Sequence, residues 1–167
     1  MLVVFSGLPG TGKTTIAKRV ARDLWAMYLC LDSIDAALIQ AGVSRDELAN
    51  KGYMAAAAVA SDNLEAGSTI VVDAMNQSVA RRNIWRNAAA KAGKVIREIE
   101  LLCFDLEEHR KRVKGRVCDA PGLVPPTWEE VFSLGYEAWD GTQLTVDTSK
   151  LTEEQAVLGI ISYLKNR

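Results

Sequence analysis

The most constraining feature of the sequence is a glycine-rich loop close to its start. Residues 7–14 read GLPGTGKT, which fits the phosphate-binding P-loop pattern G-x-x-x-x-G-K-T. An apolar run at residues 2–5 precedes the loop, and a helical pattern begins at Lys13. In such a strand–loop–helix unit, backbone N–H groups and the positive end of the helix dipole surround a phosphate. The motif therefore predicts an α/β fold that binds a nucleotide.

The loop pattern also assigns roles to particular residues. Lys13 is expected to bridge the outer phosphates, and the Thr14 hydroxyl is expected to hold magnesium. The glycines permit the backbone angles and the close approach that phosphate binding requires. The residues predicted to bind the nucleotide are Gly7, Leu8, Pro9, Gly10, Thr11, Gly12, Lys13, Thr14 and Thr15.

Short apolar runs alternate with helical patterns along the chain. The predicted strands are residues 2–5, 28–31, 69–72, 95–104 and 144–146. The predicted helices are residues 13–25, 33–41, 45–66, 79–92, 106–117, 127–138 and 152–166. Strands that are apolar throughout are typical of a parallel sheet covered on both faces. Since crossovers between parallel strands are right-handed, the alternation predicts one doubly wound α/β domain over residues 1–167.

Composition narrows the functional class. The 167 residues are 49% apolar and 25% charged, as in a soluble globular domain. A formal net charge of −1 gives no reason to expect an obligatory nucleic-acid partner, because non-specific binding needs a basic surface. The longest apolar run, residues 54–60, is far shorter than the roughly 20 residues of a membrane span. With no signal-peptide pattern, we expect a cytoplasmic protein without a membrane partner, and the oligomeric state is left open.

The bound nucleotide has to serve a switch, a motor or a kinase. A GTPase needs a D-x-x-G after a buried strand, but the DAPG at residues 119–122 follows a charged helical stretch, and no N-K-x-D occurs. Motor ATPases usually end a strand in two adjacent acids, whereas the run TIVVDAMN carries only Asp73. Without a second acid to activate water, the site is suited to phosphoryl transfer rather than hydrolysis.

A kinase needs a carboxylate beside its acceptor. Asp32 follows the second predicted strand, at the sheet edge where ligands bind in such folds, and is the predicted base for an acceptor hydroxyl. The alternative is that Asp32 only caps the next helix. Asp73, at the end of the third strand, is expected to bond the Thr14 hydroxyl or a magnesium-bound water. The further predicted substrate contacts are Asp35, Asn76 and Arg81.

A strongly basic stretch, HRKRVKGR at residues 109–116, leads into a segment with three prolines. Arg112 and Arg116 are four residues apart and therefore share one face of the predicted helix. We expect them to clamp the polyphosphate from a lid over roughly residues 107–127 and to stabilise charge during transfer. The alternative is a solvated face paired with neighbouring glutamates. His109 lies among these charges and is expected to be solvated.

Taken together, these motifs resemble the small P-loop kinases related to polynucleotide kinase, chloramphenicol phosphotransferase and the zeta toxins, a group in which many proteins are labelled AAA-family ATPase. The matching pieces are GLPGTGKTT, YLCLDSID, VVDAMN with SVARR, HRKRVKGR, and PGLVPPTWEEV with a late VDTS, and they cover nearly the whole chain in order. The resemblance implies a three-layer P-loop fold with sheet order 2-3-1-4-5, helices on both faces and a short arginine-bearing lid.

The same resemblance implies site residues and cofactors. It implies ATP as donor, magnesium as cofactor, Asp32 as general base, and Arg112 with Arg116 as lid arginines. It also implies that Thr148 lies near the adenine of the nucleotide. The chain departs from polynucleotide kinases at Asp35, where those enzymes carry an arginine.

The sequence therefore predicts an ATP- and magnesium-dependent kinase that phosphorylates a hydroxyl of a small-molecule acceptor. The predicted catalytic residues are Lys13, Asp32, Arg112 and Arg116. The nearest alternative is a 5′-polynucleotide kinase, in which a nucleic acid would be the acceptor. A second alternative, from another class, is a nucleotide-dependent binding or switch protein with slow ATP hydrolysis.

Overall fold

A computed structural model describes residues 1–48, 50–116, 123–141 and 143–166, in which five strands form one sheet. The strands are β1 (Leu2–Ser6), β2 (Met27–Cys30), β3 (Ile70–Asp73), β4 (Ile96–Leu102) and β5 (Leu144–Asp147). They pair in parallel in the order β2-β3-β1-β4-β5. This confirms the α/β fold and the sheet order 2-3-1-4-5.

Helices cover both faces of the sheet. They are α1 (Lys13–Asp23), α2 (Leu31–Gln40), α3 (Arg45–Leu48), α4 (Lys51–Glu65), α5 (Val79–Lys91), α6 (Leu106–Lys114), α7 (Trp128–Ser133) and α8 (Glu153–Lys165). Helices α1 and α8 pack on one face, and α4 and α5 pack on the other, which gives the three layers. In the described part of the chain, no helix combines the length and the apolar character that crossing a membrane requires.

The central strand β1 belongs to both hydrophobic cores. Val3 and Phe5 pack in the core with α1 and α8, while Leu2 and Val4 pack in the core with α4 and α5. All four side chains are fully buried, which explains why this run is apolar throughout. Burying each of them contributes roughly 1.5–3 kcal/mol to folding, so the strand that precedes the glycine-rich loop is firmly anchored.

The single helix predicted over residues 45–66 is wrong, because α3 and α4 divide that range. Helix α3 has its own N-terminal cap. The Ser44 hydroxyl and N–H donate to the Glu47 carboxylate, and the Glu47 N–H donates back to the Ser44 hydroxyl. Helix α4 then starts anew after Asn50. The helical pattern continues across the boundary, so periodicity gave no sign of the break.

The helix predicted over residues 127–138 is also too long, since α7 ends at Ser133. The segment that follows α7 makes contacts with α5 instead. The Arg82 guanidinium donates to the carbonyl oxygens of Glu137 and Ala138 and lies 4.4 Å from the centre of the Trp139 ring. The Glu137 N–H donates to the Gln77 carbonyl at 2.8 Å, so it is not available for a helical bond to residue 133. The other predicted elements differ by a few residues at their ends, and residues 117–122, with the DAPG motif, lie outside the described residues.

Candidate active site

The loop between β1 and α1 has a backbone that only glycine adopts easily. Gly7, Gly10 and Gly12 have φ values of +141°, +84° and +86°. A Cβ at Gly7 would clash with the carbonyl oxygen of Leu101, and a Cβ at Gly10 would lie 2.7 Å from Val113 Cγ2. Backbone angle and available space therefore both require glycine at positions 7 and 10, and the backbone angle favours it at position 12.

The loop borders a cleft of about 680 Å³, within the roughly 300–1,000 Å³ of small-molecule sites. The predicted nucleotide-binding residues that line it are Pro9, Gly10, Gly12, Lys13, Thr14, Thr15 and Arg112. Gly7, Leu8 and Thr11 instead support the loop from within. Thr11 is 2% exposed, and its hydroxyl donates to the Leu8 carbonyl at 2.8 Å. The predicted contacts of Gly7, Leu8 and Thr11 with a nucleotide remain predictions.

Lys13 lies in the cleft, with its Nζ donating to the Leu8 carbonyl at 3.3 Å. Desolvation lowers the pKa of Lys13, whereas the negative charges of Asp73 and Asp32 raise it. The two carboxylates thus help to keep the ammonium charged where water is scarce. A cation in this position can neutralise the charge of a polyphosphate during transfer.

Asp73 ends β3 beside the loop and is 4% exposed. Its Oδ2 accepts a hydrogen bond of 2.8 Å from the Tyr28 hydroxyl, a partner that the sequence did not indicate. In the described residues no hydrogen bond joins Asp73 to Thr14, but both side chains line the cleft. Hydroxyl and carboxylate oxygens are ligands that magnesium prefers, and magnesium in such sites is also bound by nucleotide phosphates. The pair therefore fits the predicted ion.

The bond between Tyr28 and Asp73 leads to a test. In Tyr28→Phe the carboxylate loses the donor that orients it, so we expect the magnesium concentration for half-maximal activity to rise about tenfold. Saturating magnesium should restore most of the rate. Initial rates over a magnesium titration at fixed ATP measure this shift. An unchanged magnesium requirement would show that the Tyr28 hydroxyl does not act on the ion's site.

Asp32 lies in the first turn of α2, directly after β2. Cys30 occupies the N-cap position, so the alternative that Asp32 caps the helix is wrong. The Oδ2 of Asp32 accepts a hydrogen bond of 3.0 Å from Arg116 Nη2, and both side chains line the cleft that contains Lys13. Asp32 is thus placed to meet an acceptor hydroxyl close to bound phosphates.

The two predicted lid arginines have different partners. Helix α6 ends at Lys114, so Arg116 lies beyond it and the predicted shared helical face is wrong. Arg112 donates to the Glu108 carboxylate at 2.8 Å and to the Thr148 hydroxyl at 3.0 Å. Both guanidinium groups still line the cleft, where they can meet phosphate oxygens.

Thr148 directly follows β5 and lies against the glycine-rich loop. It is 5% exposed, and its hydroxyl oxygen lies 3.0 Å from the carbonyl oxygens of both Thr11 and Leu102. Thr148 therefore joins the glycine-rich loop to the end of β4. The predicted position of Thr148 near the adenine of a nucleotide remains a prediction.

Asn76 is fully buried, and its amide is used inside the protein. Its Nδ2 donates to the Phe5 carbonyl at 3.1 Å and to the Ser6 hydroxyl at 3.0 Å, and its Oδ1 accepts from Trp85 Nε1 at 2.8 Å. These bonds tie the segment after β3 to the end of β1. The predicted contact with substrate is corrected, because the side chain has no exposed atom to offer.

Asp35 and Arg81 are not among the residues that line the cleft, and both lie against α4. The backbone of Gly52 passes so near the Asp35 carboxylate that a Cβ there would clash with Oδ1. The Arg81 guanidinium lies 4.9 Å from the centre of the Tyr53 ring. Burial and the charge of Asp32 raise the pKa of Asp35, and the charge of Arg81 lowers it. The three charged groups therefore act on one another.

His109 is 6% exposed, so the prediction that it is solvated is wrong. Its Nε2 lies 2.7 Å from the Pro9 carbonyl oxygen, and its ring packs edge-on against Trp128 with centroids 5.3 Å apart. The charged neighbours in the sequence gave no sign of this position. His109 is buried because one side of α6 packs against the glycine-rich loop.

A family model and one known protein match most of the chain. The family described as an AAA domain matches residues 2–125 of the chain. The adenylyl-sulfate kinase of Clostridium acetobutylicum is 27% identical over 174 residues, which cover 96% of this chain and 81% of that protein.

Solved structures share the fold. The Mycobacterium tuberculosis APS kinase in complex with AMPPNP and APS matches with a TM-score of 0.76 and 22% identity, over 99% of this chain and 97% of that one. A sugar kinase from Janibacter sp. HTCC2649 matches with a TM-score of 0.74 and 18% identity, over 98% and 94% of the two chains. These likenesses extend over essentially the whole chain and show that its fold is one that kinases use.

Proposed function

This chain belongs to the AAA domain family, and we propose that it is an ATP-dependent kinase that phosphorylates a hydroxyl of a small molecule. The observation that carries the proposal is the shared cleft. The cleft is lined by the proposed residues of the phosphate donor site, Lys13, Thr14 and Asp73. It is also lined by Asp32, the proposed base for the acceptor. The 27% identity to an adenylyl-sulfate kinase supports the same reaction class.

In the proposed reaction the acceptor hydroxyl attacks the γ-phosphorus of ATP. The new oxygen–phosphorus bond forms as the bond to the β–γ bridging oxygen breaks, and ADP leaves. The hydroxyl proton passes to Asp32. Lys13 and the loop N–H groups hold the phosphates. Thr14 and Asp73 would hold magnesium, which shields the phosphate charge.

The ion pair between Arg116 and Asp32 has a place in this scheme. Arginine binds phosphate oxygens well, so the γ-phosphate of bound ATP competes with Asp32 for the Arg116 guanidinium. A shift of Arg116 toward the phosphate would free the carboxylate to accept a proton. Nucleotide binding would thereby prepare the base for the acceptor.

We place the acceptor between Asp32 and the pair formed by Asp35 and Arg81. Within the described part of the chain, the half-buried Asp35 carboxylate makes no hydrogen bond or ion pair. The Arg81 guanidinium donates to Gln77 Oε1 at 2.6 Å and has no carboxylate within ion-pair distance among the described residues. Partly buried charged groups need partners, since desolvation without one is costly. A polar acceptor with several hydroxyls would supply them.

Asp35→Asn tests this placement. Because the charged acceptor of a hydrogen bond is lost, we expect the KM for the phosphate acceptor to rise about tenfold, while the KM for ATP is unchanged. Initial rates with each substrate varied in turn measure the two constants. Asp62→Asn, an exposed carboxylate on α4, is the matched control. Equal changes in both constants, or none, would contradict the placement.

A panel of acceptors tests the proposed function itself. Adenylyl sulfate is tested first, because of the relative that carries that name, followed by sugars, nucleosides, antibiotics and 5′-hydroxyl oligonucleotides. ATP consumption stimulated by a small hydroxyl compound would support the proposal. Stimulation by oligonucleotides alone would favour a polynucleotide kinase. No stimulation, together with a protein partner that binds only the ATP-bound form, would favour a switch.

A further inference from the structure

Helix α6 rests directly on the glycine-rich loop. His109 and Val113 are four residues apart on one face of α6, and both are buried. A Cβ at Gly10 would lie 2.7 Å from Val113 Cγ2 and 3.1 Å from His109 Cδ2. This tight packing makes α6 part of the loop's support.

The contact between His109 and Pro9 fixes one peptide group of the loop. A carbonyl oxygen can only accept, so Nε2 of His109 carries a proton and donates it across the 2.7 Å to the Pro9 oxygen. The peptide between Pro9 and Gly10 is trans, so its C=O and N–H point in opposite directions. Holding the carbonyl against α6 therefore turns the Gly10 N–H away from α6.

The Gly10 N–H is free to bind a ligand. Gly10 lines the cleft, and in the described residues its N–H makes no hydrogen bond. Loop N–H groups of this kind are what bind phosphate in a P-loop. The direction of this N–H therefore matters for a nucleotide bound in the cleft.

Two further contacts hold the arrangement in place. Trp128 packs edge-on against the His109 ring, so the ring cannot swing away freely. Arg112, also on α6, donates to the Thr148 hydroxyl, whose oxygen lies 3.0 Å from the Thr11 carbonyl oxygen. A second carbonyl of the same loop is therefore linked to the same helix.

We infer that His109 is a positioning residue for the nucleotide. Its Nε2–H holds the Pro9 carbonyl so that the Gly10 N–H meets a phosphate oxygen. The inference rests on the proposed function only in that the ligand is a nucleoside polyphosphate. It can be tested by binding alone, without an acceptor.

The test compares two variants. His109→Leu removes the donor and keeps an apolar side chain, and His109→Gln places an amide N–H near the position of Nε2. We expect the dissociation constant for ADP, measured by calorimetry, to rise about tenfold in His109→Leu, as for one lost hydrogen bond, and to recover largely in His109→Gln. Equal ADP affinity in all three proteins would overturn the inference.

A second measurement needs no variant. His109 is the only histidine of the chain, so a ¹⁵N spectrum shows a single imidazole. We expect the neutral ring to carry its proton on Nε2, with slow exchange because the ring is buried. A ring protonated on Nδ1 alone would overturn the inference. If the unmodified protein failed to bind ADP, both the inference and the proposed function would be contradicted. If all variants bound ADP equally well, only the role of His109 would be contradicted.

Discussion

Replacing Lys13 with alanine should lower kcat by about 10²–10³-fold, the usual cost of one group that stabilises developing charge in a closed site. The Lys13 ammonium lies in the cleft near the carboxylates of Asp73 and Asp32. Once it is removed, the outer phosphates lose their cation, so ATP affinity should fall too. Steady-state rates and ATP binding measure the two effects.

Loss of activity in Lys13→Ala should not come from unfolding. Desolvation lowers the pKa of Lys13, which means that the fold disfavours its charged form. Removing the side chain should therefore leave thermal stability unchanged or slightly higher. The matched control is Lys91→Ala, an exposed lysine in the last turn of α5. If Lys13→Ala were as active as Lys91→Ala, the glycine-rich loop would have no part in the reaction.

Replacing Asp32 with asparagine should cut phosphoryl transfer by about 10²–10⁴-fold, the typical contribution of a general base. The amide is nearly the same size as the carboxylate, but it cannot take the proton of the acceptor hydroxyl. Binding of ATP should stay close to normal, because the phosphates are held by the loop and Lys13. Single-turnover transfer and calorimetric ATP binding separate the two effects.

The variant Arg116→Ala tests whether Asp32 acts as a base or only holds Arg116 in position. Asp32 accepts a hydrogen bond from Arg116, so its loss also releases that arginine. If Asp32 served only to hold Arg116, the two single variants and the double variant would lose the same activity. If Asp32 is the base, the two residues have separate roles, so the double variant should be more impaired than either single variant.

The parts of the fold that were predictable are those encoded locally. The glycine-rich loop, its preceding strand and its following helix sit next to one another in the chain, so a short motif specifies them all. The apolar run of β1 is equally local, since a strand buried on both faces needs apolar residues at every position. The order of the strands is not local, and it came from the resemblance to a family.

The site residues that were predicted wrongly depend on distant partners. Asn76 was assigned to the substrate, but its amide bonds the Phe5 carbonyl, 71 residues away in the chain. His109 was assigned to solvent, yet it meets the Pro9 carbonyl at a separation of 100 residues. Thr148 bonds Thr11 across 137 residues, a contact that no local pattern indicates. A polar residue near a predicted cleft can be used for internal bonding, and only the tertiary structure shows which residues are.

The central claim is that the γ-phosphate of ATP is transferred to a hydroxyl. The most direct measurement follows that phosphorus, with ATP labelled in its γ-phosphate, magnesium, the full chain and the acceptor that the panel selects. We predict that the label appears as a phosphate ester of the acceptor, in equal amount to the ADP formed, and that Asp32→Asn nearly abolishes it. Label found only in inorganic phosphate, at a rate that no acceptor changes, would contradict the claim.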